Sequence, residues 1–378
     1  MKKTEYHLGK RQLIVNVFRD KIVSGSLSPG FRMPTRRDIA ERYKVTLVTA
    51  QLAFDELARD GFIVSKGRSG TFVADLPPHL NHFALVFPEN LVDDHYQNRY
   101  WRTLAEVGVV LALERGIKLS IYNGVNKYHH GKDYDQMMDD VMNDCLAGII
   151  FPSTPFFGSD TPIMEKPGIP RVAIMPSTDA YDSISQITLD SVDFRRKSVG
   201  FLKENGCRTA ALLGHDNQSY APLLEALAKE NIECPYYYRH SLSLDNPEWA
   251  KHITRLLFNQ KNEDRPDALM ITNDHLFDHA VDGILDAGLT PGKDVKVLAH
   301  CNFPTASNRA LDVTRIGWDI EQLLNTCFEE LGRQREGKQP RSLTFNAIFE
   351  DEIERGINTA RHNKQVPEPI YPYAGGIQ

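Results

Sequence analysis

Residues 34–73 read PTRRDIAERYKVTLVTAQLAFDELARDGFIVSKGRSGTFV, and this stretch decides the fold of the first part of the chain. Thr35 stands just before an amphipathic segment, and Asp38 follows three residues later. A hydroxyl and a carboxylate at this spacing are typical of a capped helix, which we expect to begin near Arg36. Thr46 carries the hydroxyl of a second N-cap, so the stretch predicts a helix, a turn and another helix.

Two short apolar runs follow the second of these helices. Gly61 is placed to end that helix, and residues 62–64 and 71–73 then read Phe-Ile-Val and Thr-Phe-Val. Residues 66–70, Lys-Gly-Arg-Ser-Gly, separate the two runs. The pattern predicts a hairpin with a basic tip, which is a wing beside a helix-turn-helix. Apolar side chains at helical spacing over residues 10–24 predict a further helix upstream.

A helix-turn-helix places its second helix in the DNA major groove, and polar side chains on the first turns of that helix reach base edges and phosphates. Arginines at the start of the preceding helix can bind phosphate oxygens, and a basic wing can reach the neighbouring minor groove. The candidates from this reasoning are Arg36, Arg37, Thr46, Thr49, Gln51, Lys66 and Arg68. For any one of these arginines the alternative is a solvated helix face.

The charge distribution favours the same region as the DNA-binding face. Residues 1–77 hold 14 basic and 8 acidic residues, a net charge of +6, and the rest of the chain holds 30 basic and 42 acidic residues, a net charge of −12. Phosphate neutralisation supplies most of the non-specific affinity of a DNA-binding protein. The basic part of the chain is therefore the part with the motif.

The first domain also resembles a known family. The run IVSGSLSPGFRMP at residues 22–34, followed by TRRDIA at 35–40, is similar to the winged-helix domain of GntR-type bacterial transcription regulators over residues 8–74. That resemblance implies DNA contacts by Arg37, Thr46, Thr49, Lys66, Gly70 and Thr71, and we add Val48 from the same helix turn. The position after Thr46 is commonly arginine in this family and is Leu47 here, so the operator sequence cannot be transferred from relatives.

Length and composition are those of a cytoplasmic protein of two or three domains. The chain has 378 residues, lacks an apolar run of about 18 residues and shows no signal-peptide pattern at its start. Its five cysteines are scattered without a C-x-x-C pair, which suits a reducing compartment. We expect no membrane association and no cofactor.

From residue 82 onward, apolar runs alternate with helical patterns. Nearly continuous apolar runs are typical of strands buried on both faces of a parallel sheet. The runs lie at 83–87, 118–122, 148–151, 172–174, 210–213, 268–271 and 295–298. The prediction is a doubly wound α/β region with two lobes, in which ligands bind beyond the carboxyl ends of the strands. The residues at those ends include Asn123, Asn273, Asp274 and residues 300–302.

This second region resembles the sugar-binding core of LacI/GalR-type regulators, which is itself similar to periplasmic binding proteins. The resemblance is carried by short motifs in order, among them LAGIIFP at 146–152, ITND at 271–274 and DAGLTPGKDVKV at 286–297. We divide the chain into a DNA-binding domain at 1–75, a linker at 76–81, an effector domain at 82–356 and a tail at 357–378. We expect lobe 1 at about 82–206 and 302–340, and lobe 2 at about 207–301 and 341–356.

Carboxylates, amides and an aromatic face suit a neutral, hydroxyl-rich ligand. The resemblance implies effector contacts by Tyr96, Asn98, Trp101, Asp190, Asp193, Asn273, Asp274 and Asn302. A helix cap is the alternative role for the Asn273-Asp274 pair. Two residues usual in this family are missing, since no arginine occurs within residues 215–221 and Cys301 stands where an aspartate is usual. We therefore expect an effector other than a common hexose, and we add Tyr220, or alternatively His215, as a candidate contact.

An enzyme is the weaker interpretation. His275 and His279 stand four residues apart and could share a helix face, but no third metal ligand follows at motif spacing, and no P-loop, G-x-S-x-G or H-E-x-x-H occurs. We expect no catalytic residues and no metal. The prediction is a homodimeric repressor of carbohydrate-utilisation genes, in which a small molecule, expected to be a sugar, closes the cleft and alters operator binding. The alternatives are a sugar-binding protein without a regulatory role and, third, an enzyme.

Overall fold

The computed structural model describes residues 9–91, 99–128, 131–175, 181, 183–215, 219–261, 264–304 and 311–360, with the backbone alone for residues 356–360. The helices are α1 Lys10–Val23, α2 Arg36–Tyr43, α3 Leu47–Arg59, α4 Pro78–Asn81, α5 Arg99–Arg115, α6 Lys132–Met142, α7 Pro162–Glu165, α8 Ser191–Glu204, α9 Ala221–Lys229, α10 Trp249–Phe258, α11 Phe277–Asp286, α12 Ile320–Arg335 and α13 Glu350–Ala360. The strands are β1 Ile63–Ser65, β2 Thr71–Val73, β3 His82–Val86, β4 Lys118–Tyr122, β5 Gly148–Phe151, β6 Arg171–Ile174, β7 Ser185–Leu189, β8 Ala210–His215, β9 Arg239–Leu242, β10 Ala268–Ile271, β11 Lys296–Phe303, β12 Thr314–Asp319, β13 Ser342–Phe345 and β14 Ile348–Phe349.

Helices α1 to α3 and the β1–β2 hairpin form the N-terminal domain, as predicted. The capping box of α2 is present, because the Thr35 hydroxyl accepts from the Asp38 amide at 3.2 Å and the Asp38 carboxylate accepts from the Thr35 amide at 2.9 Å. Thr46 caps α3 by accepting from the Thr49 amide at 3.1 Å. The apolar faces of the helices close over a core that includes Phe54, whose side chain is fully buried. The hydrophobic effect of this shared core holds the three short helices together.

The remaining strands form two sheets of six. In the first the order is β13-β7-β6-β5-β3-β4, and in the second it is β14-β12-β11-β10-β8-β9. All described pairings in these two sheets are parallel except that of β12 with β14. The seven apolar runs are all strands, which confirms the α/β prediction. The other five strands were not predicted, since polar residues interrupt the apolar pattern of four of them and β14 has only two residues.

The chain crosses between the two lobes three times, and the predicted lobe boundaries are wrong. The first crossing follows β7, near residue 190, because α8 packs against α9 and β12 of the second lobe. Strand β12 pairs with β11 and so belongs to the second lobe, whereas β13 pairs with β7 and belongs to the first. Lobe 1 therefore takes 82–189 and 320–345, and lobe 2 takes 191–319 and 346–355. Strand pairing is a long-range property that local sequence patterns do not carry.

Two smaller expectations also need correction. The linker at 76–81 is not fully extended, since α4 forms one helical turn that begins with Pro78 at a position where proline needs no amide donor. The tail does not begin at 357, because α13 continues to Ala360, and residues 361–378 lie outside the described residues. Within the ranges that the structure describes, no helix has the length and apolar character needed to span a membrane.

Candidate functional site

The exposed face of α3 is the candidate recognition surface. Val48 has 68% of its surface exposed, and Leu47 beside it is also exposed. The hydroxyls of Thr46 and Thr49 lie 2.9 Å apart at the start of the helix, and Gln51 donates to Asp55 within the helix at 2.6 Å. Two hydroxyls, an amide and a branched apolar side chain on one helix start can read base edges and thymine methyl groups.

The two arginines at the start of α2 have different environments. The Arg36 guanidinium lies 5.4 Å from the centre of the Phe54 ring, and its Nε is buried without a hydrogen-bond partner among the described atoms. Arg37 is exposed to solvent. Arg37 is therefore available to a phosphate without loss of packing, whereas Arg36 also covers the aromatic core of its domain.

The wing places its basic residues outward, but one predicted contact is buried. Arg68 lies in a single exposed 3-10 turn, and Lys66 lies over the Phe72 ring at 5.4 Å. Gly70 has φ +111°, a conformation that L side chains rarely adopt, so this turn requires glycine, and the DNA contact of its backbone stays a prediction. Thr71 is only 8% exposed, and we remove it from the candidate DNA contacts, because a buried side chain cannot reach the duplex.

The DNA-binding domain is docked on the first lobe through a residue that the sequence analysis missed. Arg19 on α1 is 3% exposed, and its guanidinium donates to Asp60 at 2.8 Å and to the side-chain oxygen of Asn143 at 2.9 Å. It also lies 5.5 Å from the centre of the Phe62 ring. Asp60 and Phe62 belong to the winged domain, and Asn143 follows α6 of the first lobe. One buried cation therefore joins the two domains.

The segment that receives Arg19 is itself fixed in the first lobe. Lys166 donates to the last two carbonyls of α6, both at 2.8 Å, and pairs with Asp144 at 2.6 Å. Cys145 packs into the apolar core of the winged domain, and burial raises its pKa to about 12, so its thiol stays protonated. His79 of the linker stacks on Phe62 at 6.0 Å, and burial lowers its pKa to about 4. The linker and the α6 end thus hold the domain from two sides.

The carboxyl ends of the two six-stranded sheets approach each other at the start of α5. Helix α5 starts on the chain that leaves β3, and residues 274–276 form a 3-10 turn directly after β10. The amide of Arg99, the first residue of α5, donates to Nε2 of His275 at 3.2 Å, and its guanidinium donates to the carbonyl of Asp274 at 2.9 Å. The strand ends therefore face the same space, as expected for ligand sites in open α/β sheets.

Polar side chains that could form further hydrogen bonds lie at these strand ends. Asp274 accepts from the side-chain amide of Asn302 at 3.0 Å, and Asn302 is 4% exposed. Asn302 Oδ1, His300 Nδ1 and, in the first lobe, Asn123 Oδ1 are buried without a hydrogen-bond partner among the described atoms. Burial lowers the pKa of His300, so its ring is neutral. Unpaired buried polar atoms are costly unless a ligand or water satisfies them.

Asn273 behaves as the helix cap that was its alternative role, because its side-chain oxygen accepts from the His275 amide at 3.0 Å. Asp190 likewise caps α8, accepting from the amides of Val192 and Asp193, both at 2.9 Å. Capping does not exclude a ligand contact, since a carboxylate has several acceptor sites. It does mean that these oxygens are already fixed in position before a ligand arrives.

The other predicted effector residues are partly buried, lie in the core or fall outside the described residues. Asp193 pairs with Arg196 and lies 3.7 Å from Lys197 on its own helix, and Tyr220 donates weakly to the His240 carbonyl at 3.4 Å. Trp101 is 8% exposed and packs 5.8 Å from Phe87, centre to centre, in the core of the first lobe. The predicted contacts Tyr96 and Asn98 lie outside the described residues.

The His275–His279 pair was considered as a metal site. Across the described ranges, no group of three or more His, Cys, Asp or Glu side chains is placed to hold a metal ion. His275 instead accepts from the Arg99 amide.

Two parts of the chain match known families. Residues 11–73 match the bacterial regulatory proteins of the gntR family, and residues 199–345 match the periplasmic binding protein-like domain. The first match covers the winged domain. The second covers most of the second lobe and the return of the chain to the first.

Two repressors align with most of the chain, and solved structures of regulators superpose on a large part of it. The chain is 21% identical to the arabinose metabolism transcriptional repressor of Halalkalibacterium halodurans, over 94% of this chain and 99% of that protein. It is 22% identical to the repressor of the same name from Geobacillus stearothermophilus, over 78% of this chain and 82% of that protein. Among solved structures, a putative LacI transcriptional regulator from Bacillus cereus subsp. cytotoxis superposes with a TM-score of 0.53 at 18% identity, over 71% of this chain and 96% of that one.

A LacI-family regulator from Lactobacillus casei with bound sucrose superposes with a TM-score of 0.51 at 12% identity, over 71% of this chain and 98% of that one. At such low identity these two superpositions establish the fold.

The fold, the exposed recognition helix and the relatives together define a DNA-binding transcription regulator, and not an enzyme. It joins a helix-turn-helix domain of the gntR family to a periplasmic-binding-protein-like domain of the kind found in LacI-family regulators.

Proposed function

We propose that this regulator represses genes for the use of a sugar, acts in the cytoplasm as a homodimer on operator DNA, and leaves its operator when the sugar binds in the cleft. Arabinose is the first candidate, because two relatives that align over most of the chain are named arabinose metabolism repressors. The observation that carries the sugar assignment is a set of buried polar atoms at the strand ends, on Asn123, His300 and Asn302, that have no hydrogen-bond partner within the described part of the chain.

A sugar suits these atoms chemically. A hydroxyl both donates and accepts, so it can donate to the amide oxygens of Asn123 and Asn302 and to the carboxylate of Asp274. The imidazole of His300 is neutral and presents one nitrogen without a partner among the described atoms. A ligand with several hydroxyls would satisfy donors and acceptors from both lobes at once, which supports closure of the cleft on binding.

DNA contact is proposed for Arg37, Thr46, Val48, Thr49 and Gln51 on α2 and α3, with Lys66 and Arg68 from the wing. Arg36 stays in the set with a second role in packing on Phe54. These side chains lie on the basic domain of an otherwise acidic chain. Their exposure supports the assignment, and phosphate contacts by the arginines would make operator affinity fall steeply with salt.

A route from the cleft to the DNA passes through the docked junction. Arg19 connects the winged domain to Asn143, and Arg335 at the end of α12 donates to the Leu80 carbonyl of the linker at 3.0 Å. Helix α12 begins where the chain returns from the second lobe at Asp319. A movement of the lobes would therefore reorient the winged domain of each protomer and change the spacing of the pair on DNA.

The homodimer assignment is supported by an apolar face on α5. Val109, Val110 and Leu113 lie on one side of this helix, and Leu113 is 77% exposed. Three apolar side chains on one exposed helix face suit burial against a second copy. We expect Leu113→Lys to convert the dimer to a monomer in analytical ultracentrifugation and to weaken operator binding. Phe156→Lys, at another exposed apolar position of the first lobe, is the control and should leave the dimer intact.

The experiment that tests the effector assignment is thermal unfolding of the full chain with a panel of pentoses, hexoses and disaccharides. A ligand that binds only the folded state raises the midpoint of unfolding. We expect a rise with L-arabinose and none with sugars that lack its hydroxyl arrangement. No rise with any sugar would refute the proposal that the cleft binds a sugar, and the DNA assignment would then be tested alone through its salt dependence.

A further inference from the structure

Three hydrogen bonds at the start of α5 join the two lobes, in addition to the packing of α5 and α12 against β11. The Arg99 amide donates to His275 Nε2 at 3.2 Å, one guanidinium nitrogen donates to the Asp274 carbonyl at 2.9 Å, and another lies 3.4 Å from the Asp278 carboxylate. Arg99 belongs to the first lobe, and the three acceptors belong to the second. The three bonds thus span the cleft.

One of these bonds depends on the protonation state of its acceptor. An amide can donate only to an imidazole nitrogen that carries a lone pair, so Nε2 of His275 must be unprotonated in this arrangement. The orientation of the ring is set by its own turn, because the His275 amide donates to Asn273 at 3.0 Å. When His275 takes up a proton at Nε2, this bond is lost and a cation faces both the Arg99 guanidinium and the positive end of the α5 helix dipole.

We propose that Arg99 and His275 form a proton-sensitive clamp, which holds the two lobes together while the imidazole is neutral and releases them when it is protonated. This proposal rests on the proposed function in one respect, that the clamped cleft is the effector site. Arg99 and His275 are positioning residues in this account. They set the distance between the lobes and hence the affinity of the cleft for its ligand.

The surrounding charges determine the pH at which the clamp releases. Burial lowers the pKa of His275, the carboxylate of Asp274 opposes that shift, and nearby positive groups add to it. The groups that face the ring are Asp274 on its own turn, Arg99 and Arg102 from α5, and His215 from the end of β8, with Asp278 of α11 paired to Arg99. His300 of β11 lies near the same Asp274 carboxylate.

Because the pKa of His275 is lowered in the clamped protein, acid should favour the separated lobes. When the lobes separate, His275 is solvated and its pKa returns toward its ordinary value of about 6.5. Above that pH neither state binds the proton, and the clamp has its full strength. Below it the separated state takes up the proton and the clamped state does not, so the ratio of clamped to separated protein falls by up to about tenfold per pH unit until the lowered pKa is reached.

The first measurement needs no effector. Small-angle X-ray scattering of the full chain between pH 5 and pH 8 should show a larger radius of gyration on the acid side, with a transition below about pH 6.5. His275→Gln, which stays neutral and keeps an acceptor oxygen, should abolish the transition and remain in the compact form. His279→Gln, one helical turn further along the chain, should keep the wild-type transition.

The outcomes separate the clamp from the proposed function. The clamp would be overturned if the wild type showed no acid transition, or if the transition persisted in His275→Gln. A transition that is kept in His275→Gln but lost in His215→Gln would assign the pH dependence to His215 instead. L-arabinose affinity, measured by calorimetry on the same proteins, should fall with the transition in the wild type and be independent of pH in His275→Gln. If no sugar binds while the scattering follows His275, the clamp stands and the proposed effector fails.

Discussion

Replacing Asn143 by alanine removes the only described hydrogen bond that Arg19 makes outside its own domain. The bond is 2.9 Å long and joins a charged donor to a neutral acceptor at a junction where Arg19 is almost fully buried. Arg19 keeps its partner Asp60 at 2.8 Å, so the winged domain should remain folded in the variant. The substitution therefore weakens docking between the domains and leaves each domain intact.

The size of the effect follows from the charge on the donor. Hydrogen bonds to charged groups contribute about 1.5 to 3 kcal/mol, which corresponds to a roughly 10- to 150-fold loss in the ratio of docked to undocked protein. Proteolysis within residues 74–81 should accelerate by a similar factor, provided that cleavage requires undocking and that docking and undocking are fast. The effect of sugar on operator binding should weaken in parallel, because the winged domain then follows the first lobe less closely.

The assay is limited proteolysis of the wild type, Asn143→Ala and Asn325→Ala, with the fragments identified by mass. Asn325 is a matched control, since its side-chain oxygen also accepts from an arginine of the first lobe, Arg115, but far from the junction. We expect wild-type cleavage for Asn325→Ala. Equal cleavage rates for all three proteins would refute the inference that Arg19 and Asn143 dock the domain.

Three further predictions concern DNA, effector and packing. Arg37→Ala should weaken operator binding by about 1 to 3 kcal/mol and reduce its salt dependence in fluorescence anisotropy, whereas Lys229→Ala, an equal loss of charge in the second lobe, should change neither. Asp274→Asn keeps the shape of the side chain but removes its charge, so calorimetry should show at least about a tenfold loss of sugar affinity with operator binding unchanged. A Cβ at Gly332 in α12 would meet no atom within 4 Å, so Gly332→Ala should stabilise the protein by up to about 1 kcal/mol and raise its unfolding temperature. Gly283→Ala should lower the unfolding temperature, because the new Cβ would lie 2.3 Å from a backbone oxygen of α10.

The sequence predicts the winged domain well, because its signals are local. The hydroxyl of Thr35 and the carboxylate of Asp38 form the expected capping box, and Thr46 caps the next helix. The side chain of Thr71 could not be placed in the same way. Side chains of a strand point alternately to its two faces, and the sequence does not show which face of β2 is covered. In the structure Thr71 lies on the buried face and Phe72 on the other.

The junction between the domains was not predicted, although a signal for it exists. Arg19 lies on the helix face of Val15 and Ile22, both of which are buried, and an arginine on an apolar stripe indicates a buried partner. Its partner Asn143 is 124 residues away in the chain. No local pattern links two residues at that separation. The sequence of α1 therefore indicates that Arg19 is buried but does not identify its partner.

In the effector domain the sequence predicts the strands of continuous apolar residues and the polar residues that follow them, including Asn123, Asp274 and Asn302. It does not predict the membership of β12 and β13 in their sheets, because pairing depends on the three crossings of the chain. It also missed Arg99. The role of this residue comes from its neighbours in the second lobe, which only the folded chain brings close to it.

The central claim, that a sugar in the cleft controls DNA binding, is tested most directly by the operator dissociation constant of the full chain measured against L-arabinose concentration. The account predicts that affinity for operator falls as the sugar is added, that the concentration at half effect rises by at least about tenfold in Asp274→Asn, and that affinity without sugar is the same in both proteins. Operator affinity that no sugar in the panel changes, in a protein whose unfolding midpoint L-arabinose raises, would contradict it.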